Sequence, residues 1–378
     1  MKKRILLLSA YDTLSHQKWR KQLTNGLPEY DWQVLTLPPR FFNYRVRTNA
    51  LSWYYAQKSV LERTYDLVLA TSLSDLTLLK ALNPGLEKTP VWMYCHENQF
   101  AYPKSEREKH EHRLQVQTCF FFNCLCADHI SFNSRWNQES ALQGLDNLRQ
   151  SWPERLPIES VQSIREKSSV LPVPLDDLKP INACSDDKER LDLVWNHRWE
   201  YDKGPSRLLH FVEQLLQTPT SKLERAVRVH IVGQQFRKHP DEFSLIHQRF
   251  DHSSNNRISL GEWGFIADAK AYRELLTSSD VVLSTAHHDF QGLSILEAVQ
   301  QGCVPLVPND LAYPEFFSSN YLYDTAQNDR TTSQNAIEKL IAWINTDLPR
   351  PPDIRPLSAG LVLREYDDRI RALTNKVT

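Results

Sequence analysis

The segment that decides the fold runs from Asp280 to Pro308 and has the sequence DVVLSTAHHDFQGLSILEAVQQGCVPLVP. Its first apolar run is followed by a polar loop, a helix-compatible stretch, a turn at Gly302 and a second apolar run. This order is typical of a strand–helix–strand unit in which the strands run parallel. The segment therefore predicts part of an α/β domain built on a parallel sheet covered by helices.

The same alternation of short apolar runs and helix-compatible stretches continues along both halves of the chain, with about six strands in each half. In the first half the predicted strands are Arg4–Ser9, Gln33–Leu37, Leu67–Thr71, Val91–Cys95, His129–Asn133 and Ser169–Pro172. In the second half they are Leu191–His197, Arg228–Val232, Arg257–Leu260, Asp280–Ser284, Val304–Val307 and Tyr321–Tyr323.

The length of 378 residues suits two domains. The segment Pro172–Lys188 is rich in proline and polar residues, which makes it the predicted joint. We therefore predict an N-terminal domain at 1–180, a C-terminal domain at 189–355, and a C-terminal helix within 356–378. A return of this helix to the N-terminal domain is one option.

Composition excludes several classes of protein. A net charge of −1 excludes a strongly basic nucleic-acid binder, although a local basic patch is still allowed. No apolar run approaches the roughly 20 residues of a membrane-spanning helix, and the apolar stretch Ile5–Leu8 is too short for a signal peptide. We therefore expect a soluble, cytoplasmic protein.

The cysteines have the spacing of neither a zinc site nor a disulfide scaffold, so reduced, mostly buried thiols are expected. They are Cys95, Cys119, Cys124, Cys126, Cys184 and Cys303.

The C-terminal half carries candidate donor-binding residues. The chain has ten glycines, and none forms a dinucleotide-binding or Walker motif, so any phosphate must be held by helix N-termini and cationic side chains. Gly292 opens the predicted helix of the Asp280–Pro308 segment, where backbone N–H groups can approach a diphosphate. Asp289 and Glu297 flank this start and can accept hydrogen bonds from sugar and ribose hydroxyls. The alternative is that Asp289 is a loop cap and Glu297 a solvated helix residue.

A second candidate segment, Asn196–Gly204 with the sequence NHRWEYDKG, directly follows a predicted strand. Ligands of parallel sheets bind beyond the carboxyl ends of the strands, so Arg198 and Lys203 lie where they can neutralise a diphosphate leaving group. An ordinary surface loop is the alternative. Further along, the backbone of the predicted loop Gly261–Phe265 can pair with a nucleobase, while Trp263 stacks on the base or packs in the protein.

The N-terminal half carries candidate acceptor-binding residues. His96 ends a predicted strand and is followed by Glu97, Asn98 and Gln99, so polar groups collect at one strand end. A core histidine is the alternative for His96. Ser15-His16 follows the first strand, and His16 either contacts a ligand or caps the next helix.

The stretch Arg40–Arg47 interleaves arginines with aromatic residues in the sequence RFFNYRVR. Aromatic rings stack on unpaired bases and arginines hold phosphates, so this stretch is a candidate RNA contact. Arginines that cover their own helix with their side-chain stems are the alternative.

These segments resemble the retaining GT-B glycosyltransferases of family four. Arg198…Lys203-Gly204 matches the family pattern Arg-x4-Lys-Gly after the first strand of the C-terminal domain. Asp289-x7-Glu297, around the segment Phe290-Gln291-Gly292-Leu293, is similar to the pattern Glu-x7-Glu around Phe-Gly-Leu. Asp289 replaces the first Glu, which is one methylene longer, and Gln291 interrupts the Phe-Gly pair.

More narrowly, the chain from about residue 4 to about residue 320 is similar to the tRNA-queuosine mannosyltransferase family. At the N-terminal loop it has Asp12-Thr13-Leu14 where the family has paired glycines. The matching segments are Ser15-His16, Leu37-Pro38, Arg45-Val46-Arg47-Thr48, His96-Glu97-Asn98-Gln99, Tyr102-Pro103, Phe132-Asn133-Ser134, Arg198-Trp199-Glu200, Asp202-Lys203, Asp310 and Tyr313-Pro314-Glu315.

This resemblance implies two Rossmann-like parallel-sheet domains that face each other across a cleft. It implies GDP-mannose as donor, retention of configuration, no essential metal, and queuosine in a tRNA anticodon as acceptor. The implied catalytic residues are His96, Arg198, Lys203 and Asp289. The implied donor-binding residues are Asn196, Arg198, Lys203, Gly233, Trp263, Gly264, Phe290, Gly292, Leu293 and Glu297. The implied acceptor-binding residues are Ser15, His16, Arg45, Arg47, Glu97, Asn98 and Gln99.

Two other functions stay open at the level of sequence. The same fold and donor chemistry can act on a lipid, a glycan or a small molecule. A non-catalytic RNA-binding relative can also keep the fold. Neither the donor sugar nor the oligomeric state follows from the sequence.

Overall fold

The computed structural model describes residues 2–102, 110–177, 189–236 and 238–375. The chain divides into two compact units, of which unit 1 consists of Met1–Asp176 with Pro356–Thr378 and unit 2 of Asp177–Arg355. Residues 178–188, which make up most of the predicted joint, and Cys184 among them, lie outside the described residues.

Unit 1 contains a parallel sheet of six strands in the order β2-β1-β3-β4-β5-β6. The strands are β1 Arg4–Ser9, β2 Asp31–Thr36, β3 Leu67–Thr71, β4 Val91–Cys95, β5 His129–Phe132 and β6 Ser168–Val170. The central strands are apolar on both faces because helices cover the sheet on both sides, and Leu6, Leu7 and Leu8 are fully buried.

The helices of unit 1 come from both ends of the chain, and the last one packs against the first. They are α1 Leu14–Gly26, α2 Phe42–Ala56, α3 Lys58–Leu61, α4 Leu76–Leu82, α5 His110–Cys126, α6 Arg135–Ser151, α7 Glu159–Glu166 and α14 Ala359–Thr374. The buried Tyr366 of α14 accepts a hydrogen bond from Trp19 Nε1 at 3.0 Å and donates one to Pro172 O at 3.2 Å.

Unit 2 repeats this architecture with a parallel sheet in the order β12-β11-β10-β7-β8-β9. Its strands are β7 Arg190–Trp195, β8 Ala226–Val232, β9 Ile258–Gly264, β10 Val281–Leu283, β11 Val304–Pro308 and β12 Leu322–Tyr323. Its helices are α8 Pro205–Gln217, α9 Glu242–Asp251, α10 Ala269–Ser278, α11 Leu293–Gln300, α12 Tyr313–Phe316 and α13 Asp329–Ile344. The apolar face of α8 packs against α9 and α13.

The predicted fold class is confirmed, because every predicted strand is present and both sheets are parallel. One local prediction is wrong: Gly261–Gly264 is not a loop but the end of β9. The strand continues because Trp263 and Gly264 pair with β8, across a register shift between Val229 and Ile231. Glycines in a strand interior often mark such irregularities and imitate a turn signal in the sequence.

Within the described ranges, none of the helices combines the length and the apolar character that crossing a membrane requires.

Candidate active site

Two loops of unit 2 meet at the carboxyl edge of its sheet. We call 196–204, which follows β7, the lysine loop, and 284–292, which follows β10, the aspartate loop. The strands β7 and β10 are neighbours in the sheet, so the loops after them start side by side. The backbone N–H groups of His287 and His288 donate to the carbonyl oxygen of Asp202, at 2.9 and 3.1 Å. The two loops therefore form one hydrogen-bonded structure.

Two glycines permit this close approach. Gly204 has a φ of +68°, and a Cβ at this position would lie 1.9 Å from the carbonyl oxygen of Thr285. Gly292 has a φ of +74°, and its Cβ would lie 2.8 Å from the ring of Tyr313. Both positions require the left-handed backbone that glycine adopts without steric cost, and both lack space for a side chain.

The buried ammonium group of Lys203 lies between the two loops. Its Nζ donates a hydrogen bond to the carbonyl oxygen of His288 at 2.9 Å and lies 3.2 Å from Asp202 Oδ2 and 3.6 Å from Asp289 Oδ2. Lys203 is only 8% exposed, so solvent screens these ion pairs little.

Asp289 uses both carboxylate oxygens within unit 2. Oδ1 accepts a hydrogen bond from the backbone N–H of Gly292 at 3.1 Å, and Oδ2 accepts one from the Tyr313 hydroxyl at 3.0 Å. Burial by itself would raise the pKa of Asp289, but Lys203 and the other nearby donors outweigh burial and lower the pKa below its usual value. These are the contacts of a loop cap with a stable negative charge, and a contact with a sugar stays a prediction.

Arg198 is connected to Lys203 through a shared carboxylate. Its guanidinium lies 2.5 Å from Glu200 Oε2 and 3.8 Å from Asp202 Oδ2, and its side chain is 45% exposed. Burial raises the pKa of Glu200, which the charge of Arg198 partly offsets. The sequence predicted both cations at one strand end, and the structure brings both of them near the same oxygen of Asp202.

The start of α11 connects to the lysine loop through Asn196. Its Nδ2 donates to the Tyr272 hydroxyl at 3.0 Å and to the Ser294 carbonyl oxygen at 2.8 Å. Asn196 Oδ1 is buried, and no described residue donates a hydrogen bond to it. Burial first, and then the charge of Glu297, raise the pKa of Tyr272, so the Glu297 carboxylate lies near this group.

The other predicted donor residues surround this arrangement. Phe290 is buried and contacts the His288 ring edge to face, with ring centroids 4.2 Å apart, and Leu293 is the first residue of α11. A Cβ at Gly233 would lie 1.8 Å from the His197 carbonyl oxygen, so Gly233 lets β8 end against the lysine loop. The N–H of Gly233 donates to the carbonyl oxygen of Gly264 at 3.0 Å.

Trp263 packs inside unit 2. Its ring lies 4.9 Å from that of Trp199 and 5.2 Å from that of His247, both in edge-to-face geometry. Together with Phe243 and His239 these rings line a cavity of about 370 Å³. The packing alternative for Trp263 therefore describes the contacts that exist, and stacking on a nucleobase stays a prediction.

In unit 1, two histidines stack at the carboxyl edge of the sheet. The rings of His16 and His96 lie 4.2 Å apart at 23°, and Trp19 contacts His96 edge to face at 4.7 Å. Burial lowers the pKa of His16 to about 4 and that of His96 well below its usual value. Both rings are therefore neutral at pH 7. His16 lies within α1, whose N-cap position is Thr13, and His96 directly follows β4.

Several polar atoms beside this pair have no partner in the described part of the chain. His96 Nε2, Ser9 Oγ and Thr71 Oγ1 are buried and make no hydrogen bond to a described residue. They lie at or just after the ends of β4, β1 and β3, which are neighbours in the sheet. Buried polar atoms are nearly always paired in proteins, so this edge has the character of a binding site.

The residues after His96 are held by the protein itself. Asn98 is fully buried: its Nδ2 donates to Asn137 Oδ1 and Ser140 Oγ, both at 2.9 Å, and its Oδ1 accepts from the N–H groups of Phe100 and Ala101. A contact of Asn98 with an acceptor would require this network to open.

The remaining acceptor candidates are distributed over unit 1. Glu97 and Gln99 flank Asn98, and their carbonyl oxygens accept hydrogen bonds from Ser72 and Gln117. Ser15 is exposed at the start of α1, whereas Arg45 and Arg47 lie on α2.

The chain matches known proteins over both units. The tRNA-queuosine alpha-mannosyltransferase N-terminal model matches residues 4–175, and the glycosyl transferases group 1 model matches residues 184–350. The tRNA-queuosine alpha-mannosyltransferase of Drosophila melanogaster is 30% identical over 334 residues, which cover 86% of this chain and 84% of that protein. The chain belongs to the tRNA-queuosine alpha-mannosyltransferase family. It is therefore a glycosyltransferase enzyme.

Solved structures support the GT-B fold of this family member. The UDP-forming trehalose-phosphate synthase of Burkholderia xenovorans has a TM-score of 0.63 at 12% identity, with 99% of each chain covered. The catalytic domain of starch synthase IV from Arabidopsis thaliana has a TM-score of 0.62 at 10% identity, with 100% of this chain and 99% of that chain covered. At these identities the likeness concerns the fold alone.

In this family member, further side chains that the sequence patterns did not indicate connect the two loops. His197 Nε2 lies 3.0 Å from Ser284 Oγ, and His197 Nδ1 lies 3.2 Å from Ser294 Oγ. Ser284 Oγ also lies 2.8 Å from the hydroxyl of Tyr313. Burial lowers the pKa of His197 to about 4, so the ring is neutral at pH 7. The segments that match the family beside His197 and at Tyr313 drew attention to these two residues. No local pattern indicated Ser284 or Ser294.

Within the described ranges, no group of three or more His, Cys, Asp or Glu side chains has an arrangement that could hold a metal ion.

Proposed function

We propose that this protein transfers mannose from GDP-mannose to the cyclopentene hydroxyl of queuosine in a tRNA anticodon, with retention of configuration. The observation that carries the proposal is the 30% identity, over 86% of the chain, to a protein named tRNA-queuosine alpha-mannosyltransferase. The cluster of Lys203 beside the start of α11 supports the donor chemistry, because a sugar diphosphate is stabilised by a cation and by a helix N-terminus.

In this proposal, the diphosphate binds between Arg198, Lys203 and the start of α11 at Gly292. Lys203 is held in place by its two ion pairs, so it needs little reorganisation when charge develops on the leaving group. Arg198 is half exposed and pairs with Glu200, so it exchanges this partner for a phosphate oxygen when the donor binds. Glu297 accepts hydrogen bonds from the ribose.

The chemical step needs no protein nucleophile. The departing phosphate takes the proton from the acceptor hydroxyl on the same face of the sugar, and the protein supplies orientation and charge stabilisation. Asp289 contacts the sugar hydroxyls and the neutral His96 contacts the sugar or the reacting oxygen. We propose that the reaction needs no metal, so a chelator leaves the rate unchanged.

The donor half of the proposal is tested with Arg198→Ala. Arg249→Ala is a matched control, because Arg249 is also about half exposed and forms an ion pair, with Glu213 at 2.8 Å. GDP-mannose at 100 times its dissociation constant stabilises a protein by about 2.7 kcal/mol. We expect this stabilisation in the control and its loss in Arg198→Ala. An equal stabilisation of both variants would contradict the diphosphate assignment.

The acceptor half is tested by transfer of labelled mannose to tRNA that contains queuosine, compared with the same tRNA that contains guanosine at that position. We expect label only on the first RNA. Transfer to neither RNA by a protein that binds GDP-mannose would refute the acceptor assignment and favour a lipid, glycan or small-molecule acceptor.

A further inference from the structure

The start of α2 forms a surface next to the stacked histidines of unit 1. After β2 the chain is fixed to the loop that follows β1, because Leu37 N donates to Ser9 O and Asp12 N donates to Leu37 O, both at 3.0 Å. The ring of Phe42 then contacts that of Tyr11 edge to face at 5.5 Å. The start of α2 therefore lies beside the segment that leads into His16.

Two aromatic rings on this surface point into solvent. Phe41 is 71% exposed and Tyr44 is 75% exposed. Phe41 has φ 57° and ψ 52°, a left-handed backbone that is unfavourable for a residue with a side chain. The guanidinium of Arg40 lies 5.8 Å from the centre of the Phe41 ring. The strained backbone of Phe41 gains no burial for its ring, and strain of this kind is typical of functional sites.

The same surface is positively charged. Arg40, Arg45 and Arg47 lie between Pro38 and Gln57, a range whose sequence contains no acidic residue. Arg45 Nε is buried and has no hydrogen-bond partner among the residues that the structure describes. The first turn of α2 has no acidic residue and no side-chain cap to balance this charge. An anionic ligand is therefore favoured here.

A cavity of about 250 Å³ opens beside Tyr44. Its lining combines one aliphatic side chain with amide, imidazole, phenol and guanidinium groups, which offer both donors and acceptors. The lining residues are Asn43, Tyr44, Arg47, His112, Gln115 and Val116. This size and mixture suit a single flat heterocycle that stacks on one face and forms hydrogen bonds at its edge.

We propose that this cavity binds an unpaired nucleobase of the acceptor RNA that neighbours the modified nucleoside, with Tyr44 stacked on the base and the arginines on the adjoining phosphates. The proposal rests on the proposed function for the identity of the RNA. An RNA fits better than a lipid surface because the rings alternate with arginines and the cavity lining is mostly polar.

The test compares Tyr44→Ala with Tyr55→Ala, since Tyr55 is 80% exposed on the same helix and contacts only Tyr54 among the aromatic rings described. The ligand is an anticodon stem-loop that contains queuosine. Loss of one base-stacking contact weakens binding between about 5-fold and 150-fold. We expect this loss for Tyr44→Ala and less than 2-fold for Tyr55→Ala. Arg47→Gln should reduce the steepness of log affinity against log salt concentration by about one, the contribution of one phosphate contact.

A second readout separates this site from the proposed function. Transfer to free queuosine nucleoside should be equal in the unaltered protein and Tyr44→Ala, while kcat/KM for the stem-loop falls in the variant. If the unaltered protein modifies neither acceptor, the proposed function fails, and the stem-loop titration alone decides the site. Equal stem-loop binding by the two tyrosine variants would overturn the site, as would Tyr44-dependent binding of vesicles of anionic phospholipid without RNA binding.

Discussion

At the carboxyl edge of the sheet in unit 2, a buried lysine lies between two aspartates, whereas at the same edge in unit 1 two neutral histidines are stacked. The charged groups Lys203, Asp202 and Asp289 are partners of one another within unit 2. His96 Nε2 and the hydroxyl of Ser9 make no hydrogen bond to the residues that the structure describes. The lysine cluster therefore balances its own charge, and the histidine pair leaves hydrogen-bonding capacity unused.

Under the proposed function, this difference corresponds to two separate roles in transfer. An ion-pair network fixes its members before the substrate arrives, which is what stabilisation of a leaving group requires. Unpaired donors and acceptors lower stability and gain a partner only when a ligand binds, which is what recognition of an acceptor hydroxyl requires. The two edges should therefore respond in opposite ways when one polar group is removed.

The largest effect is expected for Lys203→Met. The substitution keeps an unbranched side chain that is one atom shorter, but it leaves Asp202 and Asp289 without their shared cation, and Asp202 is almost fully buried. Breaking a buried ion pair by removal of one partner costs about 3–5 kcal/mol. We expect a loss of this size in the free energy of unfolding of unit 2, together with loss of mannosyl transfer, measured by urea unfolding and by labelled donor.

The control for this prediction is Lys270→Met, because Lys270 is 81% exposed and forms only an i,i+4 pair with Glu274 at 3.6 Å. Such pairs contribute little to stability, so the control should unfold like the unaltered protein. Equal stability of Lys203→Met and Lys270→Met would show that the network between the two loops does not stabilise unit 2.

The sequence predicted the positions of Lys203 and Asp289 at strand ends but not their contact. The contact depends on the sheet order, in which β10 lies beside β7 although β8 and β9 separate them in the chain. Short apolar runs predict that strands exist, but they do not specify which strands are neighbours. For the same reason, the sequence did not predict the hydrogen-bonded chain from His197 through Ser284 to Tyr313, which joins three separate segments.

Unit 1 shows the same limit for burial. The polar run after β4 predicted ligand-facing groups at a strand end, yet Asn98 is fully buried and bonded to Asn137 on α6. The stacking of His16 on His96 also joins the first turn of α1 to the end of β4, a distance that the sequence does not give. Local patterns located the candidate residues, and long-range packing decided which of them face a ligand.

An intermediate effect is expected from pH. The folded pKa of His16 is about 4, below the value near 6.5 of an unfolded histidine, so only the unfolded state binds the proton between these values. Its contribution to stability is therefore complete above pH 6.5 and is lost as the pH falls toward 4. As the pH falls, the free energy of unfolding should decrease less in His16→Gln than in the unaltered protein, by up to about 1.4 kcal/mol per pH unit. Hydrogen exchange in unit 1 measures this difference.

His112→Gln serves as the control for this experiment, since His112 is an exposed histidine of the same unit. It should keep the pH dependence of the unaltered protein. The ion pair of Asp289 affects stability in a different pH range, because a lowered carboxylate pKa changes stability only in more acidic solution. An unchanged pH dependence in His16→Gln would mean that the ring is not held neutral.

The smallest effect, and the sharpest test of the comparison, comes from one matched pair of serines. Ser9 and Ser284 are both fully buried, at the end of β1 and directly after β10. Ser284 Oγ lies within hydrogen-bond distance of His197 and Tyr313, whereas Ser9 Oγ has no partner. Ser284→Ala should lower the free energy of unfolding by about 1–3 kcal/mol, because it leaves buried groups unsatisfied. Ser9→Ala removes an already unsatisfied group and should change stability by about zero or raise it slightly.

If the Ser9 hydroxyl binds the acceptor, the stable Ser9→Ala protein should nevertheless have a higher KM for the RNA with GDP-mannose binding unchanged. A destabilised Ser9→Ala protein would contradict the idea that unit 1 keeps free hydrogen-bonding capacity at this edge.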